Sequence, residues 1–225
     1  MKIEVLKDIT SANDAIAAQN RQTLDKHRIL TLNLMSSPGA GKTSLILQTI
    51  DRLKDELKLA VIEGDVASKI DADRIDKEGI PVVQINTGAS CSLEAQMIGP
   101  ALDKLPLENI DLLFIENVGN LICPAEFALG EHKKVVISSI PEGDDKPTKY
   151  PLMFTEADAV VINKLDLLPH LEFDVTGFRK TIEGLNPKVK IFDVSCKTGA
   201  GIDAWCSWIS AEAKKIAPEI RKASD

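Results

Sequence analysis

The glycine-rich stretch SSPGAGKT, residues 36–43, lies between an apolar run and a helix-like segment. Gly39 and Gly41 let backbone N–H groups turn inward around phosphate oxygens, while Lys42 can reach the β- and γ-phosphates. Thr43 offers a hydroxyl to Mg²⁺. The strict pattern has glycine where Ser36 stands, and a small residue fits there if its φ stays negative. We predict a phosphate-binding loop; the alternative is a strand-to-helix turn without a ligand.

A second element, NKLD (residues 163–166), follows an apolar run and predicts the identity of the base. The Asp166 carboxylate can accept hydrogen bonds from N1–H and the amino group of guanine, whereas adenine would present an acceptor to it. The SCK element, residues 195–197, can complete this base site with backbone N–H groups. NKLD alone could be a surface loop, but its position after a phosphate loop favours GTP. The predicted nucleotide-binding residues are Ser37, Pro38, Gly39, Ala40, Gly41, Lys42, Thr43, Ser44, Gly119, Asn163, Lys164, Asp166, Ser195, Cys196 and Lys197.

Two carboxylates follow apolar runs, Asp65 in EGD and Glu116 in ENVG. With Thr43 they are candidates to hold Mg²⁺, and with Lys42 they are the predicted catalytic groups. The N–H of Gly119 can bind the γ-phosphate and sense its loss. The alternative for both acids is a solvated strand end. Because no glutamine is placed to orient water, slow hydrolysis is expected.

These residues require a framework of alternating strands and helices. The apolar runs are mostly unbroken, which is typical of parallel strands covered on both faces. We therefore predict an α/β fold: a doubly wound, mostly parallel sheet with helices on both faces, preceded by an N-terminal helix. The predicted strands are 29–35, 57–62, 81–86, 112–115, 135–138, 159–162 and 189–194. The predicted helices are 8–28, 42–55, 68–78, 92–104, 173–184 and 202–216.

This pattern divides the chain into an N-terminal helical extension (1–28), a nucleotide-binding domain (29–217) and a polar C-terminal tail (218–225). The segment 141–151, PEGDDKPTKYP, is predicted to be an irregular loop because it is rich in proline and charge.

The composition limits the possible classes of partner. The 225 residues carry a formal net charge of −7, which argues against nucleic-acid binding. No secretory signal or membrane-length apolar run is visible, so a cytoplasmic protein is expected. The four cysteines form no CxxC pair and are not expected to form disulfides in a reducing compartment. Any metal site must therefore join ligands that are distant in sequence or lie on different chains.

Together, the motifs LTLNLMSSPGAGKTSL, EGDVAS, NTGASC, ENVGNLICPAEFALGE and VINKLDLLP resemble the family of hydrogenase nickel-incorporation GTPases, HypB. The resemblance covers roughly residues 8–215. It implies a P-loop GTPase that forms a GTP-dependent homodimer and holds Ni²⁺ or Zn²⁺ near the nucleotide. It also implies two partners, a HypA-type nickel chaperone and the hydrogenase large subunit.

The same resemblance assigns the metal to cysteines contributed by both chains. The family pattern has a Cys-His pair at Cys91-Ser92 and a further cysteine at Cys123, so this sequence lacks the histidine. Four thiolates per dimer would still suit tetrahedral Zn²⁺. His132 could replace the missing ligand if the fold brings it near. The alternative for the two cysteines is that they are small buried apolar residues.

The remaining histidines and one further cysteine have simpler interpretations. His27 and His170 are expected to face solvent at segment ends, and Cys206 is expected in the core beside Trp205 and Trp208.

Three other functions stay open on sequence alone: a urease-accessory-type metal-insertion GTPase, a small-molecule kinase on the same fold, and a module that binds nucleotide without hydrolysing it.

Overall fold

Seven parallel strands form the central sheet of the computed structural model, which describes residues 9–65, 70–88 and 90–217. Their order across the sheet is β3-β2-β4-β1-β5-β6-β7. The strands are β1 (Leu30–Ser36), β2 (Leu59–Asp65), β3 (Val82–Asn86), β4 (Leu112–Glu116), β5 (Lys133–Ser139), β6 (Ala159–Asn163) and β7 (Lys190–Asp193).

Helices cover both faces of this sheet, as the unbroken apolar runs predict. The helices are α1 (Ile9–His27), α2 (Lys42–Leu53), α3 (Ile70–Asp76), α4 (Ala95–Leu102), α5 (Cys123–Glu126), α6 (Lys146–Lys149), α7 (Pro151–Thr155), α8 (Val175–Leu185) and α9 (Ile202–Ile216). Short 3₁₀ turns occupy Leu107–Asn109, Ile140–Glu142 and Leu165–His170.

The predicted fold class is confirmed, and the strand bounds differ by a few residues at most. The segment 141–151 is the exception, because it forms a 3₁₀ turn, α6 and the start of α7 rather than an irregular loop. Each of these short helices has proline at its first or second position. Proline there has a suitable fixed φ and lacks an N–H that would otherwise be unpaired.

Some predictions fall on residues outside the described ranges. These are the structure of residues 1–8, the first two residues of the predicted helix 68–78, and the polar tail 218–225. Among the helices that the structure does describe, none combines the length and apolar character needed to span a bilayer.

The sheet topology brings the loops after β1, β2, β4 and β6 to one edge. The centrally placed β1 pairs with β4 on one side and β5 on the other. In the β2–β4 ladder, Glu63 lies opposite Glu116. The carboxyl edge of an open parallel sheet is where such folds bind ligands, so the predicted site residues converge there.

Candidate functional site

The phosphate loop spans the end of β1 and the start of α2. Gly39 and Gly41 have φ of 77° and 106°, the left-handed region that favours glycine. Gly41 also has no room for a side chain, because a Cβ there would lie 2.4 Å from Asn163 Nδ2. The Lys42 ammonium donates to Ser36 Oγ at 3.2 Å. The loop thus has the backbone conformation that turns N–H groups toward a bound phosphate.

A carboxylate cluster faces this lysine. Thr43 Oγ1 donates to Glu116 Oε1 at 2.8 Å, while Glu116 Oε2 is buried without a hydrogen-bond partner among the described residues. Burial raises the pKa of Glu116 to about 7, although Lys42 and the Thr43 hydrogen bond oppose the shift. Burial lowers the pKa of Lys42, against the attraction of Glu116, Asp71, Glu63 and Asp65.

The cluster contains Glu63, which was not among the residues selected from the sequence. Its side chain is buried in β2, and Oε2 has no hydrogen-bond partner within the described part of the chain. Burial and the neighbouring Glu116 and Asp65 raise its pKa to about 8. Unpaired buried carboxylate oxygens beside a threonine hydroxyl suit a hard divalent cation. The sequence signal for Glu63 is its position directly after the apolar run LAVI, two residues before Asp65.

The loop that carries NKLD (residues 163–166), called the base loop below, is held against the phosphate loop by two side chains. Asn163 Nδ2 donates to Ala40 O at 2.9 Å, and Lys164 Nζ donates to Gly39 O at 2.6 Å. Lys164 itself has a φ of 61°, a conformation that costs energy for a residue with a Cβ. These contacts fix the separation between a phosphate position and a base position.

Asp166 lies at the far end of this site, near the SCK element. Ser195 Oγ donates to Asp166 Oδ1 at 2.6 Å, and the Lys197 ammonium lies 3.9 Å from Oδ2. The Cys196 N–H donates to Asn163 Oδ1 at 3.2 Å. A cavity of about 410 Å³ is lined by Gly41, Ser44, Asn163, Lys164, Asp166, Leu167, Cys196 and Lys197.

Gly119 lies against the phosphate loop. A Cβ at this position would lie 2.9 Å from Pro38 Cα, closer than backbone atoms tolerate. Glycine is therefore required for the ENVG loop to approach the phosphate loop so closely.

Cys91 and Cys123 correct the expectation that no cysteines pair. Their sulfur atoms form a disulfide within one chain, with 6.4 Å between the α-carbons. The cause is topological: the two cysteines follow β3 and β4, the two strands that flank β2. Sequence spacing of 32 residues gives no hint of this contact.

The other two cysteines are apart from this pair. Cys196 is half-buried in the SCK element, beside Asn163. Cys206 is buried in the core beside Trp205, as predicted, and the ring of Trp205 contacts that of Trp208. Burial raises the pKa of both thiols to about 11.

His132 is not placed to replace the missing histidine. It precedes β5, at the amino edge of the sheet, while the cysteines follow strands at the carboxyl edge. Its Nδ1 accepts the Thr31 N–H at 3.1 Å, and its Nε2 lies 2.9 Å from Asp25 Oδ1. Ser92 is buried, with its side chain 2% exposed.

Of the other histidines, His170 is exposed as predicted. The prediction for His27 is wrong, because its side chain is only 15% exposed and lies 3.3 Å from Glu108 Oε1.

Fold and site together define a P-loop nucleotide-binding protein with a disulfide-bonded cysteine pair at the same sheet edge as the phosphate loop. Residues 30–193 match the family described as CobW/HypB/UreG, nucleotide-binding domain. A hydrogenase maturation factor HypB from Rhizobium leguminosarum bv. viciae is 50% identical over 216 residues, 96% of this chain and 72% of the relative. The chain belongs to this family, and within it to the HypB hydrogenase maturation factors.

Two solved structures are similar over most of the chain. HypB from Archaeoglobus fulgidus has a TM-score of 0.85 and 40% identity, covering 90% of this chain and 99% of that one. HypB from Helicobacter pylori in complex with nickel has a TM-score of 0.87 and 39% identity, covering 95% of this chain and 99% of the other.

Proposed function

We propose that this maturation factor is a GTPase that carries nickel or zinc as cargo at a dimer interface and assists nickel insertion into [NiFe]-hydrogenase. The observation that carries the proposal is the contact between Cys91 and Cys123 at the sheet edge that holds the phosphate loop. The similarity to a HypB structure in complex with nickel supports the choice of cargo.

Guanine selection is assigned to Asp166, with Asn163 and Lys164 fixing the base loop against the phosphate loop. Ser195 orients the Asp166 carboxylate by donating to Oδ1, so Oδ2 is available to the edge of the base. The remaining proposed nucleotide contacts come from the residues that line the cavity and from the phosphate loop, including Ser37, Pro38 and Cys196.

For phosphate chemistry, Lys42 would neutralise charge on the β- and γ-phosphates, and Gly119 would donate its N–H to the γ-phosphate. The residues fit Mg²⁺: Thr43, Asp65 and Glu116 would hold it, and Glu63 adds a buried carboxylate beside Glu116. When bound, Mg²⁺ would neutralise charge that develops on the phosphate oxygens. Slow intrinsic hydrolysis is expected because, among the described residues, no glutamine lines the cavity that Lys42, Glu63 and Glu116 share; Gln84 lies opposite Glu63 in the β2–β3 ladder but does not line it.

The cargo site needs the reduced form of the cysteine pair, since thiolates bind metal and a disulfide does not. Two thiolates from each of two chains would provide a tetrahedral soft site. The buried Ser92 supplies no imidazole, which favours zinc over nickel relative to a Cys-His site. A HypA-type chaperone and the hydrogenase large subunit are the proposed partners, in the cytoplasm.

We extend the same proposal to domain organisation: an N-terminal helical extension (1–28), the GTPase domain (29–217) and a polar tail (218–225). Support comes from α1, which ends just before β1, and from α9, which ends one residue before the boundary.

The deciding experiment is a zinc and nickel titration of the reduced protein with GDP or a non-hydrolysable GTP analogue. Wild type should bind half a metal ion per chain and dimerise with the analogue, while Cys91→Ala and Cys123→Ala should lose most of the affinity. Cys206→Ala is the matched control, because this thiol is buried in the core, apart from both the cysteine pair and the nucleotide cavity. Unchanged stoichiometry in both alanine variants would refute the cargo site.

A further inference from the structure

The buried face of α1 carries two asparagines where apolar residues are usual. Asn13, Ala17, Asn20 and Leu24 lie along one stripe, and each is at most 9% exposed. Their spacing of three to four residues is that of a helix face packed on a core. A buried amide must find hydrogen-bond partners, so the asparagines specify what this face packs against.

Both amides bind backbone groups of two segments remote in sequence. Asn13 Oδ1 accepts the Ala95 N–H at 2.9 Å, and its Nδ2 donates to Ala128 O at 2.8 Å. Asn20 Nδ2 donates to Ala95 O at 2.9 Å and to Leu129 O at 3.0 Å. Each asparagine therefore bridges the start of α4 and the segment that follows α5.

These contacts supply hydrogen-bond partners that residues nearby in the sequence do not provide. Ala95 is the first residue of α4, and the side chain of the preceding Glu94 makes no capping hydrogen bond. The N–H of Ala95 would lack a partner without Asn13. The close approach on the other side depends on Gly130, where a Cβ would lie 2.7 Å from Asn20 Cβ and 2.9 Å from Ala17 O.

The two bridged segments are the ones that carry the paired cysteines. Ala95 lies four residues after Cys91, and Ala128 lies five residues after Cys123. We propose that Asn13 and Asn20 are positioning residues, which hold these two segments at the separation that brings Cys91 and Cys123 together. The N-terminal helix is thereby part of the thiol site, although it contributes no ligand.

Apolar side chains at positions 13 and 20 would bury α1 without fixing its position along the two segments. The amides accept only the arrangement in which all four hydrogen bonds form, and this restricts the relative movement of the cysteine segments. The metal-binding role of the thiols rests on the proposed function, whereas the juxtaposition of the thiols does not.

The test measures thiol pairing directly, without metal. Reduced wild type and the Asn13→Ala/Asn20→Ala variant are equilibrated with mixtures of reduced and oxidised glutathione. As the Cys91–Cys123 bond forms, two thiols lose two electrons and two protons, and one oxidised glutathione becomes two glutathione thiols. Alkylation of the remaining thiols followed by peptide mapping gives the paired fraction of this cysteine pair.

The equilibrium constant for pairing should fall about tenfold or more in the double variant, because the two segments are no longer held together. Ile209→Ala is the control: it truncates a fully buried side chain of α9, in a part of the core that contains no residue of the two cysteine segments, and should leave the constant unchanged. If the double variant does not fold, the single variants Asn13→Ala and Asn20→Ala are measured and should each show a smaller fall. Pairing constants equal to that of Ile209→Ala in the folded variants overturn the proposal.

A zinc titration of reduced wild type separates this inference from the proposed function. If wild type binds no zinc but the pairing constant falls in the variants, the cargo proposal fails and the positioning role stands. If zinc binds to wild type and the pairing constant is unchanged in the variants, the positioning role fails and the cargo proposal stands.

Discussion

The side-chain oxygen of Asn117 accepts the backbone N–H of Leu93 at 3.0 Å. The same oxygen accepts the Val118 N–H at 2.9 Å, and Nδ2 donates to Asn33 Oδ1 at 3.2 Å. Asn117 thus joins the ENVG loop (residues 116–119), which carries Gly119 and is also called the Gly119 loop, to the segment that follows Cys91. A movement of the Gly119 loop on loss of the γ-phosphate would pull on a buried hydrogen bond to the cysteine segment.

Asn117→Ala should therefore weaken the link between nucleotide and thiols. Loss of the buried amide should cost about 1–3 kcal/mol of unfolding free energy, because two N–H groups lose their acceptor. The ratio of zinc affinities measured with a GTP analogue and with GDP should move toward one. Asn33→Ala is the control, since it removes a partner of Asn117 but keeps the bonds to Leu93 and Val118. An unchanged ratio in Asn117→Ala would refute this link.

Gly119→Ala should impair recognition of the γ-phosphate. The new methyl group would lie 2.9 Å from Pro38 Cα, so the ENVG loop must move away from the phosphate loop. We expect affinity for the GTP analogue to fall about tenfold while affinity for GDP changes little, because only the analogue contacts the Gly119 N–H. Gly184→Ala is a matched control, with no atom within 4 Å of its added methyl group. Equal losses for both nucleotides would contradict the sensor role.

Asp166→Ala should remove guanine selection. Two base N–H groups would lose a charged acceptor, so GTP affinity should fall about 100-fold, while the weak affinity for ATP should not fall. Lys197→Ala serves as comparison, since its side chain is 80% exposed and its ammonium lies 3.9 Å from the carboxylate. Its effect should be below about threefold, as for other exposed ion pairs. Calorimetric titration with both nucleotides distinguishes loss of selectivity from general loss of binding.

The fold and the nucleotide motifs were predictable because they depend on local patterns. Apolar runs followed by SSPGAGKT and NKLD identify two strands and the carboxyl edge of the sheet where both strands end. The bounds of the helix 202–216 follow from its apolar periodicity and from the polar tail after it. The prolines in 141–151 predict irregular structure, but proline also starts helices, and here each begins a short helix or 3₁₀ turn.

The cysteine pairing and the contacts of the buried asparagines could not be predicted, because they depend on segments that are distant in sequence. The pairing of Cys91 with Cys123 requires the order β3-β2-β4, which no sequence window reveals. The burial of Asn13 and Asn20 is equally hidden in the sequence, because polar residues at these two positions make the buried face of α1 look less apolar than it is. Their partners are backbone groups, so residue type at positions 95, 128 and 129 gives no signal.

His132 should make stability depend on pH near neutrality. Burial lowers its pKa below the ordinary value of 6.5, although the hydrogen bond to Asp25 opposes the shift. At this histidine the unfolded chain binds more protons than the folded one as pH falls through 6.5, so the contribution of His132 to the free energy of unfolding should decrease below that pH. The raised pKa values of Glu63 and Glu116 act in the opposite direction. Neutral Nδ1 is also the acceptor for the Thr31 N–H, and protonation removes this bond.

Denaturant unfolding of wild type and His132→Gln at about pH 7.5 and about pH 5.5 isolates this contribution: between the higher and the lower pH, wild type should lose more, or gain less, free energy of unfolding than the variant. His170→Gln provides the exposed-histidine control. A difference between the two pH values that is as large in His132→Gln as in wild type would assign the pH dependence to other groups.

Metal binding should require reduction of the Cys91–Cys123 pair. The disulfide leaves neither sulfur as a thiolate, and thiolates are the soft ligands that zinc and nickel need. Protein oxidised with glutathione should therefore bind zinc at least about tenfold more weakly than reduced protein, with recovery after treatment with a phosphine reductant. GDP affinity should be the same in both forms, because the Asp166 and Lys42 contacts do not involve this pair and GDP lacks the γ-phosphate that the Gly119 loop contacts. Cys91→Ser should bind zinc weakly whether or not reductant is present, and strong zinc binding to fully oxidised wild type would show that the cargo site lies elsewhere.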